Sequence, residues 1–325
     1  LKYANLLCLL ISNNYPFGWE MAQNLFDNRQ LEALYWIARL GSFASAARKL
    51  NTSQPAISQR IRDLESTLGV TLFDRSRRRA VLTPQGREAV ELAQRMLSIA
   101  AELRDRLAKQ EFLHGLLRVG VNETVALSWL PQLMRKINEE LPNVELELHV
   151  GLTQELWDKY QRGSLELLLV SGPIEPDTVV LESLGTTTYV WMMAPQSGAS
   201  TQRIEPCDFK DLSIITHGPG STMHEAILDW FRLNGIRVPN SDVCHSLSAM
   251  AALTMAGLGI SPLPPLIYHQ EIEAGKLIAL EPVPALEPLE FWAVYPRLAV
   301  SPLPAAVSRL ARQVSTFEDR SPSTK

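Results

Sequence analysis

Between Ser42 and Gly69 the apolar positions fall into two helical runs separated by one sharp turn. Phe43, Ala46, Ala47 and Leu50 share one helix face, and the small Ala46-Ala47 pair lets another helix cross closely. Asn51 stands at the turn, because asparagine tolerates the left-handed conformation better than most residues. Ser53 is placed to cap the second helix, with Pro55 in its first turn, where a missing N–H costs little. On that helix Ile57, Ile61, Leu64 and Leu68 form an apolar stripe. The opposite face carries Gln54, Ser58, Gln59 and Arg62, able to bond base edges or phosphates. This is the pattern of a helix-turn-helix, and equally of an ordinary amphipathic helical hairpin.

Upstream, Leu31, Leu34, Ile37 and Ala38 predict a support helix capped by Asn28 and ended by Gly41. Downstream, Leu72–Arg75 and Ala80–Thr83 read as two short strands joined by a basic tip. That is the outline of a wing, which would set Arg75, Arg77, Arg78 and Arg79 against phosphates or the minor groove. A long helix then starts at Thr83-Pro84 and runs to about Phe112. Ala89, Ala93, Met96, Ala100, Leu103 and Leu107 keep a 4-3-4-3-4 spacing on it, a heptad seam suited to pairing with a second copy of the chain. Paired helices would present two recognition helices to a roughly palindromic operator.

Past His114-Gly115, read as a hinge, strand and helix patterns alternate. Expected strands cover 116–121, 144–151 and 165–171, with helices at 125–141 and 154–162, which predicts a parallel sheet covered on both faces. Strands 179–184 and 188–194 lead through a polar loop to a second run: strand 213–217, helix 222–233, strand 243–246, helix 249–256 and strand 259–262. Strands 277–280 and 291–295 and a helix over 305–317 complete it.

Charge sharpens the picture at the N-terminal end. Ser42 to Arg87 holds nine Lys and Arg against three acids, leaving 22 basic against 32 acidic residues elsewhere in a chain of net charge −4. A basic head on an acidic body suits a nucleic-acid-binding module joined to one that binds something else. With 46% hydrophobic and 20% charged residues, the 325-residue chain is that of a globular protein of two or three domains. Cys8, Cys207 and Cys244 are too few and too scattered for a disulfide framework or metal site. This fits a reducing cytoplasm, and the expected metal and cofactor complement is none. Leu6–Ile11 is apolar but too short to span a bilayer, and no small-residue cleavage site follows it. Residues 1–20 are read as an upstream extension and 318–325 as a disordered tail.

Phe43 with Ala46-Ala47, Leu50, Ser53–Ser58, Leu64-Glu65, Leu68-Gly69, Leu72-Phe73 with Arg75, and Leu82-Thr83 with Gly86 resemble the N-terminal signature of LysR-type transcriptional regulators. Order and spacing agree over about sixty residues without a gap. One departure is Gln59, where many members carry a basic residue; here Arg60 follows instead. The resemblance implies an α+β multidomain fold: a winged helix-turn-helix over 21–86, a linker and dimerisation helix with hinge over 87–114, and an effector-binding domain over 115–317. That domain would comprise subdomain I (115–186 with 289–317) and subdomain II (187–288), similar to periplasmic binding proteins.

In open α/β sheets ligands bind beyond the carboxyl ends of strands. Four polar loops lie there: Asn122–Thr124, Ser171-Gly172, His217–Thr222 and Ser246–Ser248. Free N–H groups and helix dipoles at these starts favour an anion. Asn122, Thr124, Ser171, His217, Ser221, Thr222 and Ser246 are the expected effector contacts, and the expected effector is a small organic acid. Capping is the competing use for Thr124, Ser221 and Ser248, and Glu123 would oppose a highly charged anion if it pointed inward. No nucleophile elbow, phosphate-binding glycine loop or metal-spaced cluster appears, so no catalytic residue is expected. Expected partners are double-stranded DNA, the effector, a second copy in a dimer or tetramer, and RNA polymerase. A constitutive DNA-binding protein without ligand, or a solute-binding receptor, are the alternatives.

Overall fold

The computed structural model describes residues 27–74, 80–107, 113–174, 179–195, 203–237, 241–297 and 301–318. The upstream extension, the Arg75–Arg79 tip, residues 108–112 and the tail beyond Glu318 lie outside them. The chain forms two compact units divided between Glu102 and Leu103.

The first unit is built on α1 (Asn28–Leu40), α2 (Phe43–Lys49) and α3 (Gln54–Leu68). The cap of α1 is Asp27, not Asn28. Its Oδ1 accepts Gln30 N at 2.8 Å while Gln30 Oε1 accepts Asp27 N at 2.9 Å, a reciprocal pair that Asn28 is one residue too late to make. Gly41 ends the helix at φ 65° and Asn51 turns the chain at φ 48°, both in the left-handed region. Ser53 Oγ caps α3 by accepting Ala56 N at 3.3 Å. Leu31, Leu34, Ile37, Ala46, Ala47, Ile57, Ile61 and Leu64 make the core with Tyr35, Trp36, Leu72 and Phe73. Leu68, expected in the stripe, is exposed, as it lies in the last turn before the Gly69 cap.

Short strands β1 (Phe73–Asp74) and β2 (Val81–Leu82) pair antiparallel, the base of the expected wing. Then α4 (Pro84–Leu107) begins beneath Thr83, whose Oγ1 accepts Gly86 N at 2.9 Å and donates to Thr71 O at 2.7 Å.

The second unit opens with β3 (His114–Val121). His114 and Gly115, read as a hinge, lie within this strand and pair in register with Asn143 and Val144 of β4 (Asn143–Val150). Between them lie α5 (Glu123–Leu127) and α6 (Leu130–Glu140), separate helices where one was expected. The break falls at Ser128-Trp129, where fully buried Trp129 leaves helical geometry (ψ 0°) and Pro131 starts the next turn. Next come α7 (Thr153–Gln161), β5 (Leu167–Ser171) and β6 (Val179–Thr187). Far along the chain, β14 (Leu289–Pro296) and α11 (Leu303–Val314) return to this layer. The sheet order is β4-β3-β5-β14-β6. Its first three strands are parallel as expected, while β14 runs antiparallel to both β5 and β6 because it re-enters from the other half.

That other half holds β7 (Val190–Met193), β8 (Arg203–Ile204), a 3-10 turn (Pro206–Asp211), β9 (Ile214–Thr216), α8 (Thr222–Leu233), β10 (Ser241–Val243), α9 (Leu247–Met255), β11 (Ser261–Leu263), α10 (Pro265–Glu273), β12 (Ile278–Ala279) and β13 (Glu281–Pro282). Strand β7 is flanked by β11 and β12, and β9 pairs parallel with β10. Trp191, Phe209, Trp230 and Phe231 cluster inside it, with the Trp191 and Phe209 rings 4.6 Å apart. Helix α10 was not among the expected elements; Pro265 occupies its first helical position, where a missing N–H costs little.

Candidate functional site

Two surfaces carry chemistry. On α3, Ile57, Ile61 and Leu64 are buried, while Gln54, Pro55, Gln59 and Arg62 are exposed and Ser58 is half-buried. The donor-rich side thus faces outward, the condition a recognition helix must meet. Gln59 and Arg62 are organised before any contact: Gln59 Oε1 accepts Arg62 Nη2 at 2.6 Å, and Gln59 Nε2 donates to Asp63 at 2.7 Å. The four wing arginines fall outside the described residues.

Helix α4 divides the expected seam. Ala93 lies in the first unit's core at 1% exposure with Leu97 beside it, and Ala89 packs against the same cluster. Ala93 is thus closed to any partner, and Ala89 is partly covered. Ala100 is half-buried. Leu92, Met96, Ile99 and Leu103 are exposed instead, with Ile99 at 67%. Their 4-3-4 spacing makes a stripe one position round from the expected seam, sharing only Met96 and Leu103 with it. The side chain of Leu107 lies outside the description.

In the second unit, loops at the carboxyl ends of the strands meet around a cavity of about 70 Å³. Asn122, Thr124, Ser171, His217 and Ser221 line it, together with Glu123, Thr153, Tyr189 and His245. Asn122 also braces the loops: its Oδ1 accepts Ser171 N at 2.7 Å and its Nδ2 donates to Gly151 O at 3.0 Å. Thr124 and Tyr189, both buried, share a hydrogen bond of 2.7 Å between hydroxyls. Burial pushes the Tyr189 phenol up to about 12, and the Thr124 bond offsets part of this, so it stays protonated. Ser221 begins α8 without using its hydroxyl as a cap; that oxygen meets His217 Nδ1 at 3.0 Å.

Thr222 and Ser246 stand beside the cavity without lining it. Thr222 Oγ1 donates to Ser171 O at 3.1 Å, bridging the halves. Ser246 caps α9 by accepting Ala249 N at 3.3 Å.

Glu123, like Thr153, Tyr189 and His245, is not among the expected contacts. From the start of α5 it reaches across to the first turn of α9. Its Oε2 accepts Leu247 N at 2.6 Å, and its Oε1 accepts Ser248 N at 3.1 Å, Ser246 Oγ at 3.2 Å and the Ser248 hydroxyl. Burial works against the charge, but the bonds from Ser248, Leu247 and Ser246 outweigh it and hold the carboxyl below the usual carboxylate range. The loop position and the open N–H groups of α9 were both readable; that a side chain of the other half fills them was not.

His217 is held neutral mainly by burial; the Glu123 charge pulls the other way, and His245 and His224 reinforce the lowering. Its Nε2 is buried with no hydrogen-bond partner at the cavity wall. Cys207 is exposed and Cys244 half-buried, and both thiols are free. Among the described residues, no helix is long and apolar enough to cross a membrane.

Known proteins match both units of the chain. Residues 28–87 match the family model for the bacterial regulatory helix-turn-helix protein, lysR family, and residues 110–316 match the LysR substrate binding domain. The chain is 30% identical over 252 residues to the HTH-type transcriptional regulator CzcR of Bacillus anthracis, covering 77% of this chain and 84% of that one. Its fold is similar to a full-length OxyR variant from Pseudomonas aeruginosa, with a TM-score of 0.65 at 22% identity over 90% of this chain and 99% of that one. It is also similar to full-length CbnR complexed with its target DNA, with a TM-score of 0.51 at 22% identity over 90% of this chain and 100% of the other. Matched by a helix-turn-helix model in its first unit and a substrate-binding-domain model in its second, the chain belongs to the LysR family of DNA-binding transcriptional regulators.

Proposed function

We propose that this regulator changes its hold on promoter DNA when a small organic carboxylate enters the cleft. The observation that carries the reading is the cradle at the start of α9, whose two backbone N–H groups and two hydroxyls already hold a carboxylate, that of Glu123. A ligand carboxylate of the same geometry fits the same donors. Thr124, Ser171, Ser221 and His217 supply polar contacts for the rest of it. The cavity is small beside the roughly 300 Å³ or more of most ligand pockets, so a compact acid or an opening of the halves is required.

On DNA, Gln54, Pro55, Ser58, Gln59 and Arg62 read bases, while Arg75, Arg77, Arg78 and Arg79 hold phosphates. Two copies pair through the exposed Leu92–Leu103 stripe of α4, as a dimer or as half of a tetramer, and face a roughly palindromic operator in the cytoplasm. RNA polymerase is the partner through which occupancy would be read out. Ligand shifts the pairing geometry only by binding one arrangement of the halves better.

The test is a gel-shift assay on the DNA upstream of the chain's own gene, with and without a panel of small mono- and dicarboxylic acids. Preference for that fragment over bulk competitor, altered by one class of acid, is expected. Sequence preference with no response to any acid would favour the ligand-free regulator.

A further inference from the structure

The cleft is closed, and its closure uses the group a ligand would bring. Among the described residues, four neutral bonds span it: Gln154 N to Gly220 O at 3.2 Å, Thr222 Oγ1 to Ser171 O at 3.1 Å, Thr153 Oγ1 with Thr222 Oγ1 at 3.4 Å, and the Thr124 and Tyr189 hydroxyls at 2.7 Å. The charged connection is Glu123, bonded to residues more than 120 positions away in the other half. Ser246 Oγ donates to it while accepting from Ala249 N, so the first turn of α9 has its N–H groups satisfied by Glu123 and Ser246 together. The same carboxylate lines the cavity, and opposite it stands the buried, unpartnered Nε2 of His217.

We infer that Glu123 is a tethered stand-in for the effector's carboxylate: it latches the halves of the closed cleft together and must be displaced when a ligand carboxylate takes the α9 cradle. This rests on the proposed role of the cleft as an acid-binding site. A tethered group competes at a high effective concentration, so it lowers the apparent affinity of any free carboxylate by the fraction of time it holds the cradle. Displaced, Glu123 needs only side-chain rotation to reach water, since it is half-exposed already. The device sets a threshold: only acids that also engage the remaining polar wall outcompete the latch.

Truncating Glu123 to alanine removes a CH2–COO⁻ group, the outline of acetate. Acetate is therefore the probe, against chloride at equal ionic strength, with the full-length protein. Glu123→Ala is expected to bind acetate about tenfold more tightly than the wild type, read by line broadening of carbon-13 acetate. It should melt below the wild type in chloride and recover in acetate, while the wild type is indifferent to the exchange. Adding Ser248→Ala to Glu123→Ala should abolish the gain. Equal acetate affinity in the wild type and Glu123→Ala overturns the latch, as does a gain that survives loss of Ser248. Should Glu123→Ala not fold, Glu123→Asp replaces it: one methylene shorter, it cannot keep all the cross-cleft bonds, and unchanged acetate affinity would overturn the proposal equally. Promoter footprints of the same samples judge the control role separately. A gain in acetate binding with an unaltered footprint keeps the latch and removes the cleft from regulation; an altered footprint with no such gain does the reverse.

Discussion

Glu65 Oε1 accepts the backbone N–H of Leu72 at 2.8 Å and that of Phe73 at 3.4 Å, from a position 9% exposed at the end of the recognition helix. The bonds join α3, the proposed reading helix, to the start of β1 at the wing base. Hydrogen bonds to a charged acceptor contribute about 1.5–3 kcal/mol. Glu65→Ala is therefore expected to lower the stability of the first unit by about 2 kcal/mol in urea titration. It should also weaken promoter binding, because the wing base loses its fixed distance from α3. Undiminished wing protection in a footprint of a folded Glu65→Ala protein would argue against that coupling.

Gly86 meets the same strand from the other side. A Cβ there would lie 2.1 Å from the Leu72 carbonyl oxygen, which cannot yield because it also accepts Thr83 N at 3.0 Å. Gly86→Ala should cost about 1–3 kcal/mol despite sitting in a helix, where alanine is normally preferred. Gly69, at φ 68° with open space around it, offers the comparison: Gly69→Ala should cost about 1 kcal/mol, from backbone conformation alone. A Gly86 variant as stable as the Gly69 variant would contradict the steric argument.

These residues show what the sequence made readable. The head was legible because its signals are local: Asn51, Gly41, Ser53 and the apolar stripe each act within one turn, and each stands where its chemistry requires. The α/β alternation was legible for the same reason. The cap of α1 was missed by one residue because Asp27 and Asn28 are equally good caps alone, and only Gln30 three positions on decides between them. On α4 the 4-3-4 spacing fits two neighbouring faces, and burial of Ala93 against α1–α3, which leaves Leu92, Met96 and Ile99 exposed, is a tertiary fact no spacing reveals. The role of Glu123 was hidden for a related reason: its partners lie more than 120 residues away, where no periodicity reaches.

The α4 faces give a clean separation. Ile99→Glu, on the exposed stripe, should leave the first unit folded and abolish self-association at micromolar concentration, seen by sedimentation. Ala93→Leu, inside the head, should instead destabilise the fold by about 1–3 kcal/mol through overpacking. Retained dimers in Ile99→Glu would move the interface to another surface.

On DNA the two contact classes should part as well. Gln54→Ala is expected to relax sequence preference by about 1–3 kcal/mol at one or two positions of the site while leaving the salt slope unchanged. Arg78→Ala should weaken every sequence alike and reduce the salt slope by about 1. The same loss of selectivity from both would contradict the division between reading and holding.

The cleft should reveal its carboxylate and its neutral imidazole through pH. A carboxyl held below its ordinary value near 4.5, as Glu123 is by its bonds to α9 against the opposing effect of burial, takes up its proton more readily in the unfolded chain. Its stabilisation is complete above that ordinary value and is lost as pH falls through the lower folded one. His217, held below 6.5 chiefly by burial, behaves alike in a higher window: as pH falls past 6.5 the unfolded chain gains the proton first, and stability declines. Glu123→Gln should thus be less stable than the wild type at neutral pH by about 1 kcal/mol, discounted for its partial exposure, and the gap should close below pH 4.5. Since the Glu123 charge favours the protonated imidazole, the same substitution should lower the His217 titration further, moving its midpoint in an NMR titration to more acid pH. A midpoint that rises in Glu123→Gln, or a stability gap that persists at pH 3, would mean that the carboxylate acts by packing and not by charge.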